Sequence, residues 1–526
     1  MRVLVSDNIS ARGVEILKSA GLEVEVKPGM SVQELKDCIA GYDGIVIRSA
    51  TKLTADVIER AEKLKVIGRA GSGLDNVDKS AATKKGIVVM NTPGGNTITT
   101  AEHTIALLFS MARKIPQATQ SMKDGKWEKK KFMGVELFNK TLGIIGIGNI
   151  GAQVAKRAIG LQMNVVGFDP FLSEETALNM GIKKVSLDEL FKDSDFITVH
   201  TPMTPETKNV INTQSIAKMK TGVRIINCAR GGIVDEKALL EGIKSGKVAA
   251  AALDVFEKEP PEVLSLIGLD EVVCTPHLGA STMEAQENVA LAVAEQVADY
   301  LVNGTIRNAV NFPSIPQDKV AVLKPYIDLA SRMGAFASQF IEHEVREINI
   351  ELTGEAAEIP AEAVVIAAVK GYLNPILEET VNFVNAPIIA KERGIDVKVT
   401  KSADAGAYNT MLTLKIKCDG TDHVFSGTLF SKNDPRIIKI NNYSLELIPE
   451  GIVLFINNVD KPGVIGSIGM LLGESGINIA RMSFGRESKG GVAISAVSVD
   501  DDISSEIMGK IKKLANIISV KKITID

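Results

Sequence analysis

Three side chains of complementary chemistry each follow an apolar run in the middle of the sequence. Arg230 follows RIINCA, Glu259 follows AAALDVF, and His277 follows EVVCTP, in a chain of 526 residues with only five histidines. An imidazole, whose ordinary pKa is about 6.5, can take a hydroxyl proton near neutral pH. A carboxylate on its other nitrogen fixes the tautomer, and an arginine can bind a carboxylate or polarise a carbonyl. Together the three types predict oxidation of an alcohol, which loses its proton as a hydride leaves.

Each of these residues also has a simpler interpretation. His277 could be a structural loop residue, Glu259 a solvated turn residue, and Arg230 a contact at a helix N-terminus. Two other histidines are weaker candidates, because His103 lies on an apolar helix, where packing is expected, and His200 ends a strand. The sequence has no H-E-x-x-H or comparable ligand spacing, so no catalytic metal is predicted.

A glycine-rich segment is the second indication of chemistry. Gly146, Gly148 and Gly151 have G-x-G-x-x-G spacing between the apolar run TLGII and the helical run AQVAKRAIG. Gly146 would permit a tight turn, Gly148 a close approach of backbone to a pyrophosphate, and Gly151 close packing of helix on strand. The helix N-terminus would offer the phosphates free N–H groups and a partial positive charge.

Asp169 ends the next apolar run, MNVVGFDP. A carboxylate there accepts hydrogen bonds from the ribose hydroxyls of adenosine and repels a 2′-phosphate. Since no arginine follows immediately in DPFLSEE, the segment predicts NAD and not NADP as the cofactor. The alternative is a glycine-rich corner between strand and helix, with a surface aspartate.

The order of apolar runs predicts the elements that position these residues. Through the first 310 residues, short apolar runs alternate with amphipathic stretches, which is typical of an α/β fold with parallel sheets. The carboxyl ends of parallel strands meet at one edge, which would bring the arginine, glutamate and histidine into one crevice. After the linker NFPSIPQDKV, residues 318–450 predict an α+β domain, and residues 452–526 have the ferredoxin-like order βαββαβ.

Composition argues against several other classes of protein. The net charge is −4 without a basic stripe, so no nucleic-acid partner is expected. The four cysteines share no short spacing, which disfavours a disulfide framework or a cysteine-based zinc site. Because neither a signal peptide nor a long apolar stretch is recognisable, the sequence predicts a cytoplasmic protein that does not span a membrane.

Several segments resemble the D-isomer-specific 2-hydroxyacid dehydrogenases: LGIIGIGNIGAQVAKRAIGLQMNVVGFDP, HTPMTPETKNVIN, MKTGVRIINCARGGIVDEKAL, ALDVFEKEPP and TPHLGAST. The catalytic residues of that family correspond to Arg230, Glu259 and His277. Two further segments, VIRSATKLTADVIERAEKLKVIGRAGSGLDNVD and GKWEKKKFMGVEL, resemble the branch that oxidises 3-phospho-D-glycerate with NAD in the first step of phosphorylated L-serine biosynthesis. NNVDKPGVIGSIGMLLGESGINIARM resembles an ACT domain, which is a regulatory module for small molecules.

The resemblance implies two doubly wound, Rossmann-like parallel-sheet domains, followed by the α+β intervening domain and the ACT domain. Residues 1–97 and 283–312 would form a discontinuous substrate-binding domain, with an NAD-binding domain, 98–282, inserted between its parts. Besides the three glycines and Asp169, the residues expected on the cofactor are Asn149, Ile150, Thr201, Cys228, Ala229, Asp254, His277, Gly279 and Ala280.

A phosphorylated substrate needs cations beyond Arg230. The candidates for substrate contacts, which could instead be ordinary residues at strand ends, are Arg48, Ser49, Arg69, Ser72, Gly73 and Asn96. Three lysines in the Trp-bearing loop either reach the site of a neighbouring subunit or form a solvated basic loop: Lys129, Lys130 and Lys131.

The resemblance further implies a homo-oligomer, either a dimer or a tetramer, with L-serine as a possible effector. Ligands of ACT domains bind where two copies meet, which makes Asn458, Asp460 and Asn478 the candidate serine contacts. The alternative is an ACT unit that only holds subunits together. Lys432 and Arg436 are candidates for binding an anionic effector in the intervening domain.

Two other functions stay open at the level of sequence. The first is a dehydrogenase or reductase for another D-2-hydroxy acid, of the glycerate or glyoxylate type. The second is a nucleotide-sensing binding protein that keeps the fold without catalysis, since a fold alone does not specify an activity.

Overall fold

The computed structural model describes residues 1–313, 319–377, 381–404, 406–431 and 433–525. Part of the expected linker, residues 314–318, and the candidate Lys432 therefore lie outside the described residues. Within the described ranges, no helix has the length and the apolar character needed to cross a membrane.

A parallel sheet of five strands forms the first domain. Its strands and helices are β1 (Arg2–Val5), α1 (Ala11–Ser19), β2 (Glu23–Val26), α2 (Val32–Cys38), β3 (Gly44–Ile47), α3 (Ala55–Glu59), β4 (Val66–Arg69), α4 (Lys79–Lys84) and β5 (Val88–Met90). The strand order is β2-β1-β3-β4-β5. All residues of β3 and β5 are buried, as expected for valine- and isoleucine-rich strands that helices cover on both faces.

A second parallel sheet, of seven strands, follows. Its elements are α5 (Thr97–Arg113), α6 (Ile115–Lys123), β6 (Thr141–Ile145), α7 (Asn149–Gly160), β7 (Asn164–Phe168), α8 (Glu174–Asn179), β8 (Lys183–Lys184), α9 (Leu187–Asp193), β9 (Phe196–Val199), α10 (Thr213–Lys218), β10 (Val223–Asn227), α11 (Glu236–Lys244), β11 (Val248–Leu253), α12 (Leu264–Ile267) and β12 (Val272–Cys274). The strand order is β12-β11-β10-β9-β6-β7-β8. Because β6 lies between β7 and β9, the winding direction reverses there, which opens a crevice at the carboxyl ends of the strands.

The chain then returns to the first sheet through α13 (Met283–Asn303). Val293 and Val297 of this helix are fully buried in the core of the first domain. Gly68 on β4 makes this packing possible, because a Cβ atom there would lie 2.5 Å from Val297 Cγ2 and 2.8 Å from Val293 Cγ2. The first domain is thus completed by a helix that follows the second sheet in sequence.

The remaining chain forms two further sheets. The intervening region has α14 (Val320–Phe340), β13 (Val345–Gly354), α15 (Ala361–Leu373), α16 (Ala386–Glu392), β14 (Asp396–Ser402), β15 (Thr410–Cys418), β16 (His423–Phe430), β17 (Asp434–Ile440) and β18 (Tyr443–Leu447). The last unit has β19 (Gly451–Val459), α17 (Val464–Glu474), β20 (Ile479–Arg486), β21 (Val492–Val499), α18 (Ser505–Lys512) and β22 (Ile517–Ile525). The strand orders are β14-β13-β15-β16-β17-β18 and β20-β21-β19-β22. These arrangements confirm the predicted fold class, including the βαββαβ order.

The intervening and C-terminal units share one hydrophobic core around α14. Phe336 and Phe340 of this helix contact Phe425 of β16 on one side and Phe455 of β19 on the other, with ring centroids 5.1–6.1 Å apart. Gln339 on the same helix pairs its amide with both backbone groups of Thr524, at 2.8 and 2.9 Å. The two units are therefore joined by a common core and by direct hydrogen bonds.

A short segment of the intervening region docks on the first domain beside β5. Asn382 donates to the carbonyl of Gly86 at 2.8 Å, and Val384 is buried in the core of the first domain. The ring of Phe383 meets Phe312 edge to face, with centroids 6.2 Å apart. This contact connects the C-terminal half to the first domain near the chain segment that leads into α5.

The shared core predicts that the C-terminal half unfolds as a unit. Replacing Phe336, which is fully buried, by alanine removes packing from both sheets and should lower the free energy of unfolding by about 3–5 kcal/mol. Denaturant unfolding followed by circular dichroism would measure the loss. The half-exposed Phe430→Ala serves as the control and should cost much less. Two separate transitions, of which only one shifts, would contradict the single core.

Candidate active site

His277 and Glu259 form a hydrogen-bonded pair at the carboxyl edge of the second sheet. The imidazole Nδ1 lies 2.8 Å and 3.1 Å from the two carboxylate oxygens. Both side chains are about half exposed, at 50% and 41%, so the pair faces solvent and not the core. Because a carboxylate only accepts, Nδ1 carries the proton and Nε2 keeps its lone pair. The pair therefore presents a proton acceptor to the crevice.

The loop that carries His277 is fixed by the buried carboxylate of Asp254. This carboxylate accepts hydrogen bonds from the Leu278 N–H at 2.7 Å and the Gly279 N–H at 2.8 Å, and the Asp254 carbonyl accepts from the His277 N–H at 2.9 Å. Burial alone would raise the pKa of the Asp254 carboxyl, but hydrogen bonds from His103, Thr275 and the N–H groups of Leu278 and Gly279 hold it below its usual range. The bonds also hold His277 at a φ of 56°, a left-handed conformation that is uncommon outside glycine.

Arg230 reaches the same edge, and glycines make room for it. Its Nε lies 3.2 Å from Asp75 Oδ2, and its Nη1 donates to the carbonyl of Ala229 at 2.7 Å. A Cβ atom at Gly73 would lie 2.5 Å from Arg230 Nη2, and one at Gly71 would lie 1.7 Å from the Nη1 atom of Arg69. The GSG segment therefore gives space to two guanidinium groups.

A cavity of about 730 Å³ separates the first domain from the second sheet. Arg48 and Arg69 line it from the first domain, and neither guanidinium group has a carboxylate oxygen within 4 Å in the described part of the chain. Burial and, next, the positive charge of Arg230 lower the pKa of Arg69 to about 10, yet the group stays charged at neutral pH. Its Nε is buried without a partner among the described residues. The cavity therefore has free positive charge suited to an anion.

The other substrate candidates occupy different places. Ser49 and Asn96 line the large cavity. Ser72 and Gly73 are not among its lining residues: the Ser72 hydroxyl donates to Asn96 Oδ1 at 2.7 Å, and Gly73 lies against Arg230. These two residues therefore contact side chains that line the cavity, without lining it themselves.

The glycine-rich segment forms a tight turn between β6 and α7. Gly146 has a φ of 91°, and a Cβ atom at Gly151 would lie 2.1 Å from the Gly146 carbonyl oxygen. Gly148 caps α7, and nothing lies within 4 Å of a Cβ atom placed there, so a ligand could approach its backbone closely. Asp169 at the end of β7 accepts from the Ile147 N–H at 2.9 Å, which places its carboxylate at this turn. Asn149 begins α7, so its N–H belongs to the free N-terminal turn.

A smaller cavity, of about 230 Å³, adjoins the turn. Seven residues expected on the nicotinamide side line it, namely Thr201, Cys228, Ala229, Asp254, His277, Gly279 and Ala280, and Leu278 of the same loop does not. Ile150, which was expected near the pyrophosphate, lines it as well. Burial raises the pKa of Cys228 to about 12 and lowers that of His200 to about 3, so both are neutral at pH 7. Two buried polar atoms at this cavity, His200 Nδ1 and Thr201 Oγ1, have no hydrogen-bond partner among the described residues. Such atoms fit a bound group with polar atoms of its own, as a nicotinamide cofactor has.

The two cavities meet at a small set of shared residues. Asn96, Arg230, His277 and Ala280 line both of them, whereas Glu259 lines only the larger one. Two ligands, one in each cavity, would thus both contact the His277 imidazole and the Arg230 guanidinium. This arrangement suits a reaction between two bound molecules.

Two polar contacts at the site are not apparent from the sequence. His103 is not merely packed, because its Nε2 lies 3.1 Å from Asp254 Oδ1 and from Thr275 Oγ1. Asp75 pairs with Arg230 from the other domain. Neither contact has a local signal in the sequence, because each joins residues that are more than a hundred positions apart.

The three serine candidates lie at two ends of the C-terminal sheet. The buried Asn458 and its neighbour Asp460 end β19, whereas Asn478 precedes β20. β19 and β20 are each antiparallel to β21 and therefore run in the same direction. Asn478, before the start of β20, thus lies at the opposite end of the strands from Asn458 and Asp460. The Gly490 N–H and the Arg486 guanidinium hold the pKa of Asp460 below its usual range. A ligand that contacts all three residues would have to bridge two copies of the chain.

Arg436, the described candidate for an anionic effector, is already paired. Its guanidinium contacts Asp434 and lies 3.3 Å from Glu446 Oε1, and the residue is 8% exposed. In addition, the structure has no group of three or more histidine, cysteine, aspartate or glutamate side chains suited to a metal ion in the described ranges.

The glycine turn generates a test of cofactor binding. Gly151→Ala should weaken the binding of NADH by roughly tenfold or more, because its methyl group would displace the Gly146 carbonyl and open the turn. Gly160→Ala on the same helix is the matched control, since a Cβ there meets nothing within 4 Å. Fluorescence titration with NADH measures both variants. Equal affinities for the two would contradict the assigned role of the turn.

Comparison with known proteins places this architecture in a family. The sequence matches the NAD binding domain of the D-isomer specific 2-hydroxyacid dehydrogenases over residues 105–279, the D-3-phosphoglycerate dehydrogenase intervening domain over residues 322–441, and the ACT domain over residues 452–516. The three matches lie within three of the four predicted domains, whose boundaries stay predictions.

Full-length relatives extend these matches. The chain is 47% identical to a D-3-phosphoglycerate dehydrogenase of Archaeoglobus fulgidus, covering 98% of this chain and 99% of the relative. It is 45% identical to one of Methanocaldococcus jannaschii, with both chains fully covered. Among solved structures, a D-lactate dehydrogenase of Aquifex aeolicus complexed with NAD and lactic acid aligns with a TM-score of 0.52 at 29% identity, over 60% of this chain and all of the other. The chain therefore belongs to the D-3-phosphoglycerate dehydrogenase family, within the NAD-binding D-isomer-specific 2-hydroxyacid dehydrogenases.

Proposed function

We propose that this chain oxidises 3-phospho-D-glycerate to 3-phosphohydroxypyruvate with NAD, in the first step of phosphorylated L-serine biosynthesis. The observation that carries the proposal is the junction of the two cavities, where His277 and Arg230 face both. One cavity is lined by the nicotinamide-side loops, and the other has cations without carboxylate partners. Family membership supports the same activity.

The proton chemistry belongs to the chain's own residues. Glu259 accepts a hydrogen bond from the Nδ1–H group of His277, so Nε2 is free to take the proton of the substrate hydroxyl. The carboxylate then stabilises the imidazolium that forms. Arg230 binds the substrate carboxylate next to the reacting carbon, with Asp75 holding its Nε. Bound NAD supplies the hydride acceptor.

Recognition of the phosphate falls to the first domain. Arg48 and Arg69 project into the large cavity, and an anion there would relieve the repulsion between Arg69 and Arg230. Guanidinium groups suit phosphate because they donate paired hydrogen bonds in a plane. A dehydrogenase for an unphosphorylated D-2-hydroxy acid, the second candidate, would leave these two cations without a counter-ion.

Assembly and location complete the proposal. We infer a cytoplasmic homo-oligomer, consistent with four free cysteines. Apolar side chains are unusually exposed on α5, on α6 and in the loop after α6, which also carries Lys129, Lys130 and Lys131; they are Phe109, Met122, Trp127, Met133 and Phe138. Such a patch is typical of a surface that a second subunit covers.

The activity is tested by NADH formation from 3-phospho-D-glycerate and NAD with a trap for the keto product. His277→Ala should lose about 10²–10⁴-fold in rate, because the general base is removed. His343→Ala removes an exposed histidine of the C-terminal half and is the control. D-Glycerate should be a poor substrate for the wild type. A D-glycerate rate equal to that of the phosphorylated substrate would favour the second candidate, and an unchanged His277→Ala rate would refute the assigned base.

We further propose that L-serine inhibits the enzyme at a site formed by two ACT units. Titrating serine into the assay should lower the wild-type rate at millimolar concentration or below, and Asn478→Ala should weaken that inhibition. Lys510→Ala, on the surface of α18, is the control. Rates that do not change up to millimolar serine would reject the effector and leave the ACT unit an assembly module.

A further inference from the structure

The N-terminal turns of α5 are bonded to the loop that carries His277. The Thr100 hydroxyl donates to the carbonyl of Gly279 at 3.0 Å, and the Thr99 hydroxyl lies 3.4 Å from that of Thr282. His103, one turn further along the same face, contacts Asp254. The helix begins where the chain enters the second sheet domain, and the loop ends where the chain leaves it, so these contacts join the two crossings.

The donors and acceptors around His103 can be assigned unambiguously. The Thr275 hydroxyl donates to Asp254 Oδ1 at 2.6 Å, so its proton is used and it can only accept from His103. The Asp254 carboxylate also only accepts. His103 Nε2 lies 3.1 Å from both oxygens, and it must therefore carry a proton that the two acceptors share. The imidazole supplies one of a small number of donors to a carboxylate that is fully buried.

The Asp254 carboxylate in turn controls the backbone of the reactive loop. It holds the N–H groups of Leu278 and Gly279, and its own residue's carbonyl holds the N–H of His277. A small rotation of this carboxylate would shift His277 and the loop that faces the smaller cavity. His103 contacts neither cavity, because it is not among the residues that line them.

We propose that His103 is a positioning residue, which orients Asp254 and so holds the His277–Ala280 loop against the bound nicotinamide. The inference deepens the proposed function and rests on it for the identity of the reaction. The positioning role itself does not depend on which substrate is used, because the hydrogen bonds that support it join groups of the protein. Loss of the imidazole should loosen the loop before any ligand binds.

The experiment compares His103→Ala with His103→Gln, whose amide can donate to Asp254, in the full-length protein. We expect His103→Ala to bind NADH about tenfold more weakly and to lose about 10²-fold in kcat/KM, with kcat affected as well as KM. Hydrogen exchange of the unliganded protein, followed by mass spectrometry, should be faster in peptides covering residues 275–282. His103→Gln should restore exchange and NADH affinity to within about threefold of the wild type. His423→Ala, a partly buried histidine in the C-terminal half, is the control.

Each outcome supports or overturns the proposal. Unchanged NADH affinity and unchanged exchange in His103→Ala would overturn it, even if the melting temperature fell, because the side chain would then only fill space. If His103→Ala does not fold, Thr275→Val takes its place, because Thr275 is the other side chain that donates to Asp254. Unchanged NADH affinity and unchanged hydrogen exchange in that variant would likewise overturn the proposal. A wild type that binds NADH but does not oxidise 3-phospho-D-glycerate would refute the proposed function alone, and the binding and exchange measurements would still decide the role of His103.

Discussion

The hydrogen bond between His277 Nδ1 and Glu259 is the interaction on which the site depends. It fixes the imidazole in one tautomer and turns the unprotonated nitrogen away from the carboxylate. The pair stands at the edge of a sheet whose strand order reverses at β6, and a reversal of this kind opens a crevice in doubly wound folds. Without this bond, the ring could present either nitrogen, and the crevice would lack a defined proton acceptor.

Positive charge is the second constraint, and it requires a partner that the described residues do not supply. Arg230 pairs with Asp75, whereas the guanidinium groups of Arg48 and Arg69 have no carboxylate oxygen within 4 Å among the described residues at the large cavity. Removing an unpaired charge from water costs free energy, so guanidinium groups without a carboxylate partner are best explained by a ligand that carries negative charge of its own. The same reasoning explains why glycines occupy positions 71 and 73, where any side chain would displace a guanidinium.

Local patterns in the sequence were sufficient for much of this description. The glycine spacing identified the turn before α7, and the ends of apolar runs identified Arg230, Glu259 and His277, because strand termini gather at one edge whatever the details of packing. The order βαββαβ was likewise readable from apolar runs and helical stretches.

Contacts between distant residues could not be predicted in this way. His103 was expected to pack because it lies on an apolar helix, and its bond to Asp254 spans 151 positions. Ser72 and Gly73 are predicted to contact the substrate, but they do not line the large cavity. Ser72 donates a hydrogen bond to Asn96, and Gly73 leaves room for the Arg230 guanidinium. The left-handed backbone of His277 also has no local signal, since it is imposed by bonds to Asp254.

The aromatic cluster around α14 has an implication for how such chains diversify. Two regions that look like separate modules in the sequence bury their rings against the same helix. A recombination event with a breakpoint near residue 450 would leave exposed, aggregation-prone aromatic surfaces on both products. Cellular chaperones and proteases would remove such products. Inheritance of the two regions as a single block is therefore the outcome that selection on solubility alone would favour.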